Sequence, residues 1–142
     1  MSVAKISSTK EVLITCSSNG KNIKIWNAKN GDKLYGDFVR GSKPSFVSDI
    51  CIFIDMKDQY IGCASESGKM HIFRISDLKQ SYLQSARSFC SMILDPIHSR
   101  CKITIQDNKV IAVSQTGEMF QGMIPTEGSE VVLLKQEKFE RI

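Results

Sequence analysis

The sequence predicts an all-β fold, a partial β-propeller built of three four-stranded WD40-like blades. The main observation is a phrase that occurs three times: an apolar run, a serine, two or three further residues and a glycine. The copies end at Gly20, Gly68 and Gly117, so they are 48 and 49 residues apart. A fixed period of this length is typical of propeller blades, each of which is a small β-sheet.

Each repeat divides into short strands separated by turn signals. Asn19-Gly20 and Asn30-Gly31 predict hairpin turns in the first repeat, and the first of these should have both residues at positive φ. Residues 75–87 fit either a short helix or an irregular loop. The remaining apolar and alternating runs predict strands. The predicted strands are, besides one starting near Val3, residues 12–16, 22–26, 33–38, 46–53, 60–64, 69–73, 88–94, 102–105, 110–113, 118–124 and 131–134.

These strands divide the chain into blades at 1–40, 41–96 and 97–136, followed by a charged tail at 137–142. Closed propellers typically have four to eight blades, and closure removes exposed sheet edges. Three blades leave two open flanks. We therefore expect the chain to be part of a larger propeller; self-association of two copies through the open flanks is the alternative.

The charge distribution favours an anionic partner. The chain carries a net charge of +4, but residues 1–44 hold eight basic and three acidic side chains, a net of +5. Such a patch suits phosphate, acidic lipid or nucleic acid. No nucleic-acid partner is expected, because aromatic residues are not interleaved with the basic ones as stacking platforms.

Composition argues against a metal site, a cofactor and catalysis. The five cysteines form no CxxC pair, and the only histidines are His71 and His98, so zinc-ligand spacing is missing. Most cysteines lie in apolar runs, which predicts buried free thiols. No nucleophile–base pattern or phosphate-binding glycine loop is present, so the prediction is a non-enzyme.

The segment Phe38-Val39-Arg40-Gly41 between the first two repeats resembles a motif of a known family. PROPPINs are seven-bladed propellers that bind phosphatidylinositol phosphates on autophagic and endosomal membranes, and they carry Phe-Arg-Arg-Gly between the fifth and sixth blades. The flanking phrases, from residues 13–17 through 107–114, occur in the family's order. The resemblance covers nearly the whole chain, as the last three blades of seven.

The resemblance implies two headgroup sites, one for each motif arginine, in a cytoplasmic protein that is peripheral on autophagic or endosomal membranes and has autophagy-type protein partners. Val39 stands where the first arginine is expected, which weakens one site. The better-preserved phosphoinositide site comprises Arg40, Ser65, Lys69, His71, Ser85 and Arg87. The weaker site comprises Ser17, Lys21 and Lys24.

Several alternatives stay open at this stage. The serines that recur at 17, 65 and 114 could make a structural hydrogen bond instead of contacting ligand. Arg40 could be a solvated loop residue, and His71 could be a packed histidine or a donor that favours binding at acidic pH. Trp26 is expected in the core.

The family's membrane loop corresponds to residues 77–88, which are few and only weakly apolar, so weak membrane binding is expected. The alternative function is a WD40-type protein-interaction scaffold without lipid binding.

Overall fold

The computed structural model describes residues 3–7, 12–33, 37–54, 59–77, 85–94, 100–127 and 130–139. Within these ranges the chain forms thirteen strands in three sheets, and one turn of 3-10 helix at Ile75–Asp77. The first sheet contains β1 (Val3–Ser7), β2 (Val12–Cys16), β3 (Asn22–Asn27), β4 (Asp37–Val39) and β8 (Ser85–Arg87), in that order. The second contains β5 (Val47–Ile54), β6 (Gln59–Ser65), β7 (Lys69–Arg74) and β9 (Cys90–Ile93). The third contains β10 (Cys101–Gln106), β11 (Lys109–Ser114), β12 (Glu118–Met123) and β13 (Val132–Lys138).

The three sheets pack face to face in sequence, which confirms the predicted partial propeller. One apolar cluster joins the first and second sheets through Ile14 and Phe38 on one side and Ile50 and Phe73 on the other. A second cluster joins the second and third sheets. The middle sheet is therefore covered on both faces, and β6 is buried at every residue after its first. In β10, by contrast, buried and exposed residues alternate, because only one face of the third sheet is covered.

Each of the three repeated phrases ends on a glycine in the left-handed region. Gly20, Gly68 and Gly117 have φ of 70°, 79° and 89°. Each donates its N–H to the serine carbonyl three residues earlier, at 2.9, 3.1 and 3.0 Å. The expectation that Asn19 also has positive φ is wrong, because the turn is longer than a two-residue hairpin and needs left-handed backbone only at its last residue.

Polar side chains join the strands that begin the second and third sheets. Ser48 is the extra residue of a β-bulge, and its hydroxyl oxygen lies 3.2 and 3.0 Å from the carbonyl oxygens of Ala64 and Cys101, which share its single donor. The next residue, Asp49, is buried and accepts a 3.0 Å bond from the Ile103 N–H. The bulge therefore turns two consecutive polar side chains toward β10.

One strand was not predicted, and several strand boundaries differ from the predicted ones. The outer strand of the first sheet was predicted at 33–38, whereas β4 spans Asp37–Val39. β8 comes from the second repeat but pairs in parallel with β4 of the first sheet. The outer strand of the second sheet, β9, begins at Cys90 and not at Ser88. β13 continues to Lys138, so the first two residues of the predicted charged tail are in a strand. The predicted turn at 55–58 and most of the loop at 77–88 lie outside the described residues. Nothing helical in the described ranges has the length and hydropathy that membrane crossing requires.

Two glycines allow a matched test of the hairpin geometry. A Cβ at Gly20 would meet the Ser45 carbonyl oxygen at 1.7 Å, whereas a Cβ at Gly31, whose φ is also positive, would meet nothing within 4 Å. We expect Gly31→Ala to lower the free energy of unfolding by about 1–2 kcal/mol, the cost of left-handed backbone. Gly20→Ala should cost at least about 3 kcal/mol, because the steric strain adds to that cost. Urea unfolding measures both, and equal losses would contradict this account.

Candidate functional site

Arg40 is buried between the first and second sheets. It directly follows β4, and only 8% of its surface is exposed, so the alternative of a solvated loop residue is wrong. Its backbone N–H donates to the Lys21 carbonyl at 2.7 Å. Its guanidinium donates from Nε to the Gly20 carbonyl and from Nη2 to the Lys43 carbonyl. Arg40 thus connects the first hairpin turn to the linker between blades.

The other two blades have an apolar residue at the position of Arg40. In each sheet, the residue after the outer strand donates its N–H to the carbonyl immediately before the third strand. The donor is Arg40 in the first sheet, Leu94 in the second and Phe139 in the third, at 2.7, 2.5 and 2.8 Å. Leu94 is fully buried. The blade geometry therefore accepts a hydrocarbon side chain here, and the cation is a particular feature of the first junction.

Lys69 and His71 approach the same junction from the second sheet. Both lie on the face of β7 that carries Phe73, whose ring packs against Phe38 of the first sheet at 5.1 Å between centroids. The His71 ring stacks on Phe73 at 6.2 Å and is only 6% exposed. Its Nδ1 lies 3.1 Å from the Ser88 hydroxyl.

The electrostatics of this junction are positive. Burial, followed by the charges of Lys69 and Arg40, lowers the pKa of His71 from 6.5 to about 4. His71 is therefore neutral at physiological pH in the free protein. Burial also raises the pKa of the Cys63 thiol, and the nearby charge of Arg40 opposes this rise. Arg40, Lys69 and His71 thus share one electrostatic environment, which suits an anion.

The recurring serines make structural hydrogen bonds in the hairpin turns. The Ser17 hydroxyl donates to Asn19 Oδ1 at 2.8 Å and accepts from the Asn22 N–H at 3.1 Å. The Ser65 hydroxyl lies 2.6 Å from that of Ser67. The Ser114 hydroxyl accepts from the Glu118 N–H at 3.1 Å. Each of the three serines therefore makes a hydrogen bond within its own turn.

The weaker predicted site is the counterpart of the first on another face. Lys24 pairs with Thr15 in the first sheet, and His71 pairs with Cys63 in the second. Because these two pairs are equivalent, Lys24 occupies in the first sheet the position that His71 occupies in the second. Lys24 and Ser17 line an open groove of about 400 Å³ on the first sheet's outward face. Lys21 lies at the turn beside it, with its N–H bonded to Asn19 Oδ1 at 3.1 Å.

Trp26 lines the same groove, so its expected place in the core is wrong. Its indole N–H donates to the Thr15 hydroxyl at 2.8 Å on the outward face. The packed face of β3 is formed instead by Ile23 and Ile25, which alternate with the polar and aromatic positions.

Arg87 lies on the outward face and not with Arg40. Within β8, Ala86 pairs with Phe38 and packs on the cluster between the first two sheets. Arg87 pairs with Val39 and is exposed, so alternation directs it to the opposite face. The predicted meeting of Arg87 with Arg40 and Lys69 is therefore not found. Ser85 pairs with Asp37 through its backbone, and its side chain lies outside the described part of the structure.

Two further residues, Ser88 and Ser45, contribute to the junction without having been predicted from the sequence. Ser88 contacts the His71 ring. The Ser45 hydroxyl accepts the Ser67 N–H at 3.1 Å, and the Ser45 N–H donates to the Asn19 carbonyl, also at 3.1 Å. The linker between blades is thereby attached to the hairpin turns of both sheets. No sequence signal marks these serines, because the contacts join segments that are far apart in the chain.

Metal-ligand clusters are not found among the described residues. All five cysteines are free thiols, and four are buried. Burial raises the pKa of Cys90 to about 12 and also raises that of Cys101. These thiols therefore remain protonated at neutral pH and act as small apolar side chains, as their positions in apolar runs predicted.

Comparison with known proteins identifies the architecture. No family model matches the chain. Autophagy-related protein 18 of Kluyveromyces lactis is 34% identical over 71 residues, which is 50% of this chain and 14% of that relative. Hsv2 of Kluyveromyces marxianus superimposes with a TM-score of 0.78 at 19% identity, covering 96% of this chain and 46% of Hsv2. The chain resembles the PROPPIN β-propellers.

A further PROPPIN structure has the same fold. KlAtg21, solved in complex with the coiled-coil of AgAtg16, matches with a TM-score of 0.71 at 21% identity, over 95% of this chain and 41% of that one. The chain spans less than half the length of these PROPPIN structures. The relatives are propellers and do not belong to enzyme families.

The buried histidine predicts a specific loss of stability in acid. Unfolding restores the pKa of His71 from about 4 to 6.5, so the unfolded state binds more protons between these values, and stability falls as pH falls through this window. At pH 5 the loss relative to pH 7 should be about 2 kcal/mol from this residue. The His71→Gln variant has no titrating group at this position, so between pH 7 and pH 5 its free energy of unfolding should fall by about 2 kcal/mol less than that of the parent. Urea unfolding of both proteins at the two pH values measures this difference. Parallel pH profiles of the two proteins would contradict this.

Proposed function

We propose that the chain is the lipid-binding portion of a PROPPIN that binds phosphatidylinositol 3-phosphate or 3,5-bisphosphate on autophagic or endosomal membranes. The headgroup binds at the junction of the first and second sheets, where Arg40, Lys69 and His71 converge beside the Ser65 turn. The protein is cytoplasmic and peripheral on those membranes, as the family resemblance implies.

The buried Arg40 is the observation that carries this proposal. A buried charge is costly unless it is paired, and in the part of the chain that the structure describes no carboxylate forms an ion pair with Arg40. Arg40 holds two backbone carbonyls, yet a guanidinium has five N–H donors, so donors remain for a phosphate. Because Leu94 and Phe139 stand at the same place in the other blades, folding alone does not require an arginine there.

Lys69 and His71 complete the anion site in different ways. Lys69 is half-buried and adds a mobile point charge. His71 is neutral in the free protein, and a bound phosphate would favour its protonated form by opposing the two cations. Binding should therefore take up protons, and affinity should rise as pH falls below neutrality.

The outward groove of the first sheet is the second, weaker headgroup site in this proposal. Lys24 and Ser17 line it, with Lys21 at the turn beside it. Arg87 belongs with this set, because its register beside Val39 directs it to the same face. The groove is built from one sheet alone, which is consistent with weaker binding there.

The names of the relatives suggest protein partners from autophagy. One structural neighbour was solved with a coiled-coil partner. We infer that this chain also contacts autophagy proteins.

A scaffold without lipid binding is the second candidate function. It is favoured by the two carbonyl contacts of the Arg40 guanidinium, which connect the hairpin turn to the interblade linker. Under this candidate Arg40 is a structural residue, and the cationic junction binds no headgroup.

A liposome co-sedimentation experiment distinguishes the two candidates. Arg40→Leu introduces the residue that the second sheet has at the same position, so the fold should be retained. We expect binding to liposomes that contain phosphatidylinositol 3-phosphate to fall at least about tenfold, because a charge-assisted contact is lost.

The matched control is Arg100→Gln, which removes an exposed arginine that lies 3.5 Å from Glu66. It should leave binding unchanged. Equal binding by the parent and Arg40→Leu, or no binding by the parent, would favour the scaffold.

A further inference from the structure

The most exposed large apolar side chain in the described part of the chain is that of Ile93, at 80%. Ile93 ends β9, the outer strand of the second sheet, and the next residue, Leu94, is fully buried. The two faces of this sheet pack on the first and third sheets, so Ile93 is exposed at the outer rim of a blade that has a neighbour on each side. Single exposed apolar residues are common, so the surroundings of Ile93 decide whether it has a role.

Ile93 lies beside the cationic junction of the first and second sheets. It pairs with Lys69 across β7 and β9, and Ser91 pairs with His71. Residues that stand directly opposite each other in an antiparallel pair project from the same face, with Cβ atoms about 5 Å apart. Ile93 therefore borders the face from which Lys69 and His71 approach Arg40, and it places hydrocarbon at the rim next to the cations.

The equivalent position in the first sheet is covered by an added strand. Val39 precedes Arg40 as Ile93 precedes Leu94, and it is half-buried with Arg87 of β8 paired beside it. At the second sheet the corresponding parallel contact is a single bridge to Ser91, two residues before Ile93. Among the described residues no strand is added beside Ile93, and its side chain stays exposed.

We propose that Ile93 is a membrane-inserting residue. When the junction holds a phosphoinositide headgroup, Ile93 enters the boundary between the headgroups and the acyl chains of the same bilayer. The inference rests on the proposed lipid binding, and it adds an apolar contact outside the segment at 77–88. A bilayer offers an anionic surface directly above an apolar layer, which matches cations that lie next to an exposed isoleucine.

The cations and the isoleucine contribute to binding in different ways. Arg40 and Lys69 attract the phosphate, and salt screens the part of this attraction that acts through water. Ile93 moves hydrocarbon out of water, a contribution that depends on buried area and not on charge. Peripheral attachment to a membrane usually combines two such signals. A headgroup in solution meets the cations alone, so the choice of ligand separates the two contributions.

Binding of one headgroup in soluble and in membrane form tests this proposal. Ile93→Ser removes the hydrocarbon at an exposed position, so the fold should be retained. We expect it to lower binding to liposomes that contain phosphatidylinositol 3-phosphate by at least about fivefold, at low and at high salt. Binding to dibutanoyl phosphatidylinositol 3-phosphate, measured by calorimetry, should be unchanged.

The matched control is Phe46→Ser. Phe46 is larger than Ile93 and 45% exposed, but it precedes β5 at the opposite edge of the same sheet. Its replacement should change binding to neither ligand.

Tryptophan fluorescence provides a second readout. In Ile93→Trp, lipids brominated on the acyl chains should quench fluorescence beyond the quenching of the parent, whose single tryptophan is Trp26. Unchanged liposome binding by Ile93→Ser, an equal loss for both ligands, or no additional quenching would overturn the proposal and leave the proposed function intact. A parent that binds neither ligand would contradict the proposed function and this inference together.

Discussion

One backbone hydrogen bond, repeated in every sheet, positions the residue that follows the outer strand of each blade. It joins the N–H after the outer strand to the carbonyl before the third strand. In the first two blades the residue at this position, Arg40 or Leu94, is buried in the junction, or seam, with the next sheet. The left-handed glycine, or the residue next to it, supplies that carbonyl. Since the backbone contact is independent of the side chain, this position accepts arginine or leucine without a change of fold. A propeller can therefore introduce a charge into one seam and keep the other seams apolar.

The consequence of this freedom is an electrostatic difference between the two seams. The seam between the second and third sheets holds Leu94 and an apolar cluster. The seam between the first and second sheets holds Arg40 beside a histidine whose pKa is lowered by burial and by two cations. The aromatic pair Phe38 and Phe73 lies beneath these groups and excludes water from one side. The low local dielectric strengthens the interaction of the cations with any anion that enters.

The repeat period made the fold predictable, because the serine-to-glycine phrase specifies a turn that tertiary packing does not override. The alternating pattern likewise predicted a strand at 22–26, and Ile23 and Ile25 form the packed face of that strand. Trp26 was misplaced because residue type suggested burial, whereas its register puts it opposite Leu13 on the outward face. β8 could not be predicted, since its three residues form a strand only through pairing with another blade. Arg87 was assigned to the wrong side for the same reason: without β8 its register was unknown.

The comparison of Lys24 with His71 shows why equivalent positions do not make equivalent sites. Both residues lie on the face of a blade that looks toward the preceding sheet, and each pairs with the same position of the second strand. His71 is buried because the first sheet covers it and supplies Arg40 from across the seam. Lys24 lines an open groove to which this chain contributes one sheet. An anion at the seam would be enclosed by cations from two sheets, whereas one at Lys24 would be screened by water. The strength of each site therefore depends on the covering sheet as well as on its own residues.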